Sequence, residues 1–177
     1  MMLGARTAAL ANDKTPAIHL EDASDGGKII TRKFGSGCRF LIDLEVLSGS
    51  RDYLFGTEGA DGGFVRYSHI ASRLPVNTRG IVTIDDGGDG VYVDGVKTYS
   101  YAMDFHSGAL TFGSYRSTSP GNRRNYYLFW CKVYDVNGVL IADLIPSRQG
   151  NYAALKDSVT GNVYSADKIG YCKYIET

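Results

Sequence analysis

The sequence predicts an all-β protein, an antiparallel two-sheet β-sandwich, and three observations lead to this fold class. Apolar and polar residues alternate in short segments along most of the 177-residue chain, which is typical of half-buried strands. Turn sequences rich in Gly, Asn and Asp separate these segments. No window shows the apolar spacing of an amphipathic helix, so the pattern lacks the crossover helices that parallel strands need.

The predicted strands are short and closely spaced. The clearest begins at Cys38 and ends at Leu47, where every second residue from Phe40 to Val46 is apolar and shares one face. The other predicted strands are, in chain order, Lys28–Lys33, Asp52–Gly56, Gly63–Ile70, Gly80–Asp85, Gly90–Asp94, Lys97–Ala102, Ala109–Ser114, Tyr126–Asp135, Val139–Ile145, Asn162–Ser165 and Tyr171–Ile175.

Turn sequences account for several of the connections. Asp94-Gly95 and Asn137-Gly138 are predicted to be two-residue hairpin turns in which both residues take a positive φ, a conformation that Gly, Asn and Asp tolerate best. The run from Asp85 to Gly90 is predicted to be a longer Gly-rich reversal. Each connection therefore joins two antiparallel strands.

The length fits one folded domain with an N-terminal extension. We place the sandwich domain at residues 28–177 and an N-terminal arm or extension at residues 1–27. Small apolar residues are common at the start of the chain, but Arg6 and Thr7 interrupt the apolar region that a signal peptide needs. We therefore expect an arm that docks or links.

Charge and hydropathy exclude two classes of partner. The 19 Lys and Arg residues balance the 19 Asp and Glu residues, so the chain lacks the excess positive charge with which nucleic-acid-binding proteins neutralise phosphates. No apolar stretch approaches the roughly 18 residues of a membrane-spanning helix. We expect no nucleic-acid partner and no membrane insertion.

Two series of motifs resemble a known family. In the middle of the chain, a strand, a Gly-rich turn, a hairpin and a strand ending in Gly occur at Gly80–Asp85, Asp85–Gly90, Val91–Gly95 and Ala109–Gly113. This order resembles laminin-G-like and concanavalin A-like jelly rolls. A later series resembles the closing half of such domains in phage structural proteins and bacterial surface proteins; it consists of Tyr126–Asp135, Asn137–Leu140, Asp143–Pro146, Ala154–Asp157 and Thr160–Tyr164.

The resemblance covers residues 38–164, with residues 1–37 matching nothing and Trp130 standing where the closing motif more often has a small residue. It implies a concanavalin A-like jelly roll that attaches to carbohydrate or to a cell surface. It also implies a location outside the cell or on a virion surface.

Paired carboxylates are the first candidates for catalysis, because the concanavalin A-like superfamily includes glucanases that use such a pair. Asp43 and Glu45 lie two residues apart on one predicted strand face, but the third carboxylate of the glucanase motif is missing after Glu45. The sequence also lacks a Gly-x-Ser-x-Gly nucleophile elbow. We therefore expect a protein that is not an enzyme.

Histidines and cysteines show no metal-ligand spacing. We expect Cys38 and Cys131 to pack in the core and His69 to be a surface histidine or a hydrogen-bonded structural histidine rather than a ligand contact. No cofactor is expected. The acidic loop Asp85–Asp89 has oxygen ligands of the kind that calcium prefers, but a Gly-rich turn with solvated aspartates is the favoured interpretation.

A basic loop connects the predicted strands that end at Ser114 and begin at Tyr126. It contains Tyr115, Arg116, Arg123 and Arg124. Arginine binds carboxylates and phosphates bidentately, so an acidic sugar, lipopolysaccharide or an acidic protein neighbour suits this loop. The alternative is a solubilising loop whose arginines pair with the protein's own acids.

The strand Tyr126–Asp135 is apolar on both predicted faces. Strict alternation places Tyr127, Phe129, Cys131 and Val133 on one face, and Tyr126, Leu128, Trp130, Lys132 and Tyr134 on the other. We predict that Trp130 and Tyr134 form a platform on which a sugar ring stacks. The alternative is that this face packs against a loop, the N-terminal arm or a neighbouring subunit.

Two functions are compatible with these patterns. The first is a non-catalytic module that recognises a glycan or a cell-surface polysaccharide. Its predicted ligand-binding residues are Trp130, Tyr134, Tyr115, Arg116, Arg123 and Arg124. The second is a structural component of a phage virion or surface appendage, with its aromatic face buried against homo-oligomer or virion neighbours.

Overall fold

The structure is a computed structural model, and it describes residues 15–21, 27–48, 53–57, 63–113, 125–170 and 172–176. The elements in chain order are β1 (Pro16–Glu21), β2 (Lys28–Lys33), β3 (Arg39–Ser48), β4 (Tyr53–Thr57), β5 (Phe64–Arg66), α1 (Tyr67–Ile70), β6 (Thr78–Asp85), β7 (Val91–Val93), β8 (Val96–Tyr99), β9 (Ala109–Gly113), β10 (Asn125–Tyr134), β11 (Leu140–Gln149), β12 (Tyr152–Asp157), β13 (Val163–Ser165) and β14 (Cys172–Glu176).

The strands form two antiparallel sheets, as predicted. The large sheet has the order β13-β12-β11-β10-β3-β6-β7-β8, with β1 attached to β10 and β14 attached to β1, and the small sheet has the order β2-β9-β4-β5. Apolar side chains of both sheets form one buried core. Tyr126 of β10 ties the sheets together, because its buried hydroxyl donates to the Leu54 carbonyl (2.5 Å) and accepts from the Gly113 N–H (3.2 Å).

The large sheet forks at β10. One edge of β10 pairs with β3 over nearly its full length. The opposite edge is shared, because its first residues pair with β1 and its last residues pair with β11. One branch of the fork continues from β1 to β14, and the other continues from β11 to β12 and β13.

A β-bulge at Phe129 corrects the predicted faces of β10. The register with β3 shifts between Leu128, opposite Leu44, and Trp130, opposite Asp43. The extra residue reverses the alternation, so that Tyr126 and Leu128 share the core side with Cys131 and Val133. Tyr127, Trp130, Lys132 and Tyr134 are half-buried on the outer side.

Two strands were not predicted from the sequence. Residues 16–21, assigned above to an N-terminal arm, form β1 inside the large sheet, so the domain boundary at residue 28 is too late. Pro16 stands at the first position of β1, where a missing N–H is tolerated. The strand β12 contains Ala153 and Ala154, and alanine is depleted in strands.

Two local predictions need correction and one is confirmed. Residues 67–70 form the short helix α1 instead of continuing the strand predicted from Gly63. Asp94 and Gly95 have φ values of 48° and 78°, as a two-residue hairpin turn requires. At the other hairpin only Gly138 has a positive φ, because residues 136–138 form a longer turn in which the Gly138 N–H donates to the Asp135 carbonyl.

The cysteines are free thiols buried in the structure, and Cys38 and Cys131 contribute to the core as predicted. Burial raises the pKa of the Cys131 thiol. Among the described residues, no helix has the length and apolar character needed to cross a bilayer.

Candidate functional site

The predicted aromatic platform lies on the outer face of the large sheet. Trp130 and Tyr134 both point away from the core and keep part of their surface accessible. Lys132 stands between them on β10, and its ammonium lies 5.5 Å from the Trp130 ring centroid, within range of a cation–π contact. Four residues of strand span about 13 Å, so the two rings are separate contacts instead of one stacked surface.

Tyr134 lines a groove at one end of this face. The groove has a volume of about 520 Å³, and it is bounded by Arg39 and Leu41 of β3, Asp85 of β6 and Val136 of the β10–β11 turn. Pockets for small ligands have volumes of about 300–1,000 Å³. We call this site the outer-face groove. It combines one aromatic ring, apolar side chains and a charged pair.

The charged pair of the outer-face groove is Arg39 and Asp85. The Arg39 guanidinium donates two hydrogen bonds to the Asp85 carboxylate, at 2.5 and 3.2 Å. The bonds to Asp85 raise the pKa of Arg39. The Arg39 side chain is largely exposed and the Asp85 side chain is partly exposed, so water and ligand hydroxyls can compete for them. Polar groups at the rim of an apolar groove orient a ligand.

Asp43, considered above as a catalytic carboxylate, is held by Arg79. Asp43 is 5% exposed and accepts from Nε of Arg79 at 2.9 Å and from Nη2 at 2.6 Å. The same guanidinium lies 3.7 Å from the ring centroid of Phe129, the bulge residue. The Arg79 guanidinium therefore covers Phe129 on the outer face, and two of its nitrogens donate hydrogen bonds to the Asp43 carboxylate.

The aspartates of the acidic loop have different partners. Asp85 pairs with Arg39, and Asp89 accepts from Lys97 and Tyr92, each at 2.6 Å. The Lys97 hydrogen bond, followed by the Tyr92 hydrogen bond, lowers the pKa of Asp89. Asp86 is buried and faces a different loop.

Asp86, Asp104 and His106 have ligand atoms within 4.8 Å of one another, a grouping that the spacing of these residues did not predict. The oxygens of Asp86 already accept from the N–H groups of Phe105 (2.6 Å), His106 (3.1 Å) and Gly37 (2.9 Å). Nδ1 of His106 lies 2.9 Å from the Asp86 carboxylate. Asp86 therefore joins two loops through backbone hydrogen bonds.

His69 is a structural histidine, as predicted. It is 7% exposed and stacks on Tyr99 with ring centroids 3.8 Å apart and an interplanar angle of 8°. Its Nδ1 accepts from the Arg66 N–H at 3.3 Å. Burial, with the charge of Arg66 as the second cause, lowers the pKa of His69 to about 4, so the ring is neutral at pH 7.

The predicted basic loop falls in a part of the chain that the structure does not describe. Tyr115, Arg116, Arg123 and Arg124 lie outside the described residues. Of the predicted ligand-binding residues, the structure therefore places Trp130 and Tyr134 only.

A second groove was missed from the sequence. It has a volume of about 310 Å³ and lies between β14 and the β11–β12 hairpin, where Arg148, Asn151, Tyr152 and Tyr174 line it. We call it the fork cleft, because β14 and β11 belong to different branches of the large sheet.

Comparisons of the chain with family models, with curated proteins and with solved structures found no match.

Proposed function

We propose that the protein is a non-catalytic carbohydrate-binding module with a concanavalin A-like, laminin-G-like jelly-roll fold. The observation that carries the proposal is the outer-face groove together with Trp130. Aromatic rings bury apolar surface and keep a polar edge, and sugars present C–H faces that stack on such rings. The antiparallel two-sheet architecture supports the jelly roll, and the resemblance of the motifs supports a cell-surface or virion-surface location.

The polar groups around the groove suit hydroxyl-bearing ligands. Arg39 offers N–H donors and Asp85 offers acceptors, and both are accessible from the groove. Tyr134 contributes a ring to the wall. A saccharide has apolar faces and a rim of hydroxyls that act as donors and acceptors, so it complements both features.

The surroundings of Asp43 support a binding role over glycoside hydrolysis. A general acid or nucleophile has to reach the glycosidic oxygen or the anomeric carbon. Both oxygens of Asp43 lie within 3.1 Å of Arg79 nitrogens, and the residue is almost fully buried. We therefore assign Asp43 to the stability of the bulge and not to catalysis.

Glycan-array binding of the full chain tests the proposal. We expect the protein to bind a subset of glycans, and we expect Trp130→Ala and Tyr134→Ala to weaken that binding by about tenfold or more. The matched control is Tyr101→Ala, which removes a 65% exposed tyrosine that lies outside the described strands. Circular dichroism checks that the variants fold. Binding to no glycan, or equal binding by folded wild type and both variants, would contradict the proposal.

The second candidate is a structural or assembly component, and a separate observation favours it. Val136 and Val139, beside the outer-face groove, are 76% and 57% exposed. Neighbouring exposed apolar side chains that form a contiguous patch often mark a protein interface.

Light scattering on the full chain and on a version lacking residues 1–14, which retains β1, tests assembly. If this face packs against a neighbouring copy, we expect the protein to form an oligomer, and Val136→Ser should weaken the association. A monomer for both chains at all concentrations would count against assembly.

A further inference from the structure

The fork cleft differs in chemistry from the outer-face groove. Its wall combines cations with aromatic rings: Arg148 comes from β11, Lys173 and Tyr174 come from β14, and Tyr152 begins β12. No Asp or Glu occurs among the described residues that line it. The Lys173 ammonium is bound by Glu21 of β1, so Arg148 is the main source of unneutralised charge.

Arg148 is oriented but unpaired. Its guanidinium lies 4.7 Å from the centroid of the Tyr174 ring, so the two groups stack across the two branches of the sheet. Within the described chain, Arg148 forms no ion pair and no side-chain hydrogen bond, and it is exposed to solvent. A guanidinium has five N–H donors in a fixed plane. These donors are therefore available to a ligand that enters the cleft.

The charges near Arg148 favour an anionic ligand on one side of its guanidinium over the other. A third groove, of about 650 Å³, lies on the other side of the Arg148–Tyr174 pair, and Glu176 contributes to its lining. A carboxylate there opposes an anionic ligand. Lys173 of the fork cleft is already paired with Glu21, but Arg148 has no carboxylate partner and no acid is among the described lining residues, so the fork cleft is the side that favours an anion.

We propose that the fork cleft binds an acidic saccharide, with the sugar carboxylate on the Arg148 guanidinium and the sugar ring against Tyr152 and Tyr174. A planar guanidinium and a carboxylate form two parallel charge-assisted hydrogen bonds. Tyr152 is 38% exposed, and Asn151 lines the same groove and supplies an amide for sugar hydroxyls. The volume of about 310 Å³ accommodates a small ligand.

The class of ligand rests on the proposed carbohydrate-binding function, whereas the anion preference follows from Arg148 alone. The two sites share no lining residue among those described. Variants of one site therefore leave the other intact, and the two proposals fail separately.

Isothermal titration calorimetry on the full chain tests the proposal. The ligands are an oligosaccharide of galacturonic acid and the same oligosaccharide with its carboxyl groups reduced to alcohols. We expect wild type to bind the acidic form, the reduced form to bind at least about tenfold more weakly, and Arg148→Gln to lose about tenfold or more for the acidic form. Arg73→Gln, which removes another exposed and unpaired arginine, is the matched control and should bind like wild type.

Several results would overturn the proposal. These are no binding of the acidic form to wild type, equal binding of the two forms, and equal loss in Arg148→Gln and Arg73→Gln. Binding of a glutamate-rich peptide without binding of the oligosaccharide would assign the cleft to a protein partner and would also overturn it. Tyr174→Leu provides a second variant, because it removes the stacking partner and keeps the Arg148 charge. Tyr101→Ala, which changes a residue that lines neither groove, should bind the acidic form like wild type. The glycan-array measurement on Trp130→Ala and Tyr134→Ala reports a failure of the outer-face groove separately.

Discussion

Two arginines of the large sheet lie on aromatic rings, and they differ in what else they contact. The Arg79 guanidinium lies 3.7 Å from the Phe129 ring and also binds the buried Asp43 carboxylate. The Arg148 guanidinium lies 4.7 Å from the Tyr174 ring and has no carboxylate partner in the described chain. The same stacking contact therefore serves two purposes. At Arg79, stacking combines with hydrogen bonds to Asp43 and covers the bulge residue Phe129. At Arg148, stacking orients the N–H donors of the guanidinium toward the fork cleft.

The largest expected effect is a pH dependence of stability, and it involves a third arginine, Arg66. Arg66 lies over Tyr53 and Phe64 without a carboxylate partner in the described chain, and its charge acts on the neighbouring His69. The unfolded chain binds a proton at His69 near the ordinary pKa of 6.5, and the folded chain binds it only near a pKa of about 4. The free energy of unfolding should therefore be fully retained above pH 6.5, and it should fall by up to about 3 kcal/mol as the pH drops to 4.

Urea denaturation across this pH range measures the effect. We expect His69→Gln to flatten the pH dependence between 6.5 and 4, whereas His19→Gln should retain it. If His69→Gln and wild type lose stability in parallel over this pH interval, the assignment of His69 as a buried, neutral histidine is wrong.

Removal of the Arg79 side chain and removal of the Arg148 side chain should have different effects on the free energy of unfolding. We expect Arg79→Ala to lower the free energy of unfolding by about 2 kcal/mol, because Asp43 is left without its partner and Phe129 loses its cover. The equivalent change Arg148→Ala affects an exposed, unpaired side chain and should cost less than about 0.5 kcal/mol. Chemical denaturation of both variants provides the measurement. Equal losses would remove the distinction between a structural and a binding arginine.

A carboxylate introduced beside Arg148 should convert the unpaired arginine into a paired one. Asn151 lines the fork cleft with Arg148, so Asn151→Asp supplies an internal competitor for an anionic ligand. We expect the acidic oligosaccharide to bind about tenfold more weakly to this variant. Asn151→Ser is the control for loss of the amide. Unchanged binding in Asn151→Asp would place the carboxylate of the ligand elsewhere.

The smallest expected effect concerns the charge of Glu176. Glu176 lies in the groove on the far side of Arg148 and opposes an anion through solvent. Glu176→Gln should strengthen binding of the acidic oligosaccharide about twofold, and the gain should shrink at high salt because exposed charges are screened. Calorimetry at low and high salt measures it. A gain that is independent of salt would point to a contact instead of a charge effect.

Local patterns in the sequence predicted the strands that have one apolar face and one more polar face. In β3, Phe40, Ile42, Leu44 and Val46 are all fully buried, as their alternation indicates. The bulge at Phe129 escaped prediction, because one inserted residue reverses every later side chain of β10 and no local signal marks it. Arg79, which covers the bulge residue Phe129, and Asp43, which Arg79 binds, are both distant from it in sequence.

The candidate sites were predicted less well than the fold. Trp130 and Tyr134 were correctly placed on one face, but Lys132 between them could be located over Trp130 only from the structure. The fork cleft was missed because Arg148 and Tyr174 belong to different branches of the large sheet, which lie far apart in the sequence and come together in the fold. Pairing between distant strands is a property of the sheet and not of a sequence window.

The fork also determines when the protein can complete its fold. The strand β1 pairs with β10 and β14, so its partners are more than 100 and 150 residues away in the chain. Contacts of such long sequence separation form slowly. During synthesis on the ribosome, residues 16–21 emerge before both partner strands and have to wait for them. Until β10 and β14 emerge, both edges of β1 are unpaired and can recruit strands from other chains, so β1 is where co-translational aggregation should begin.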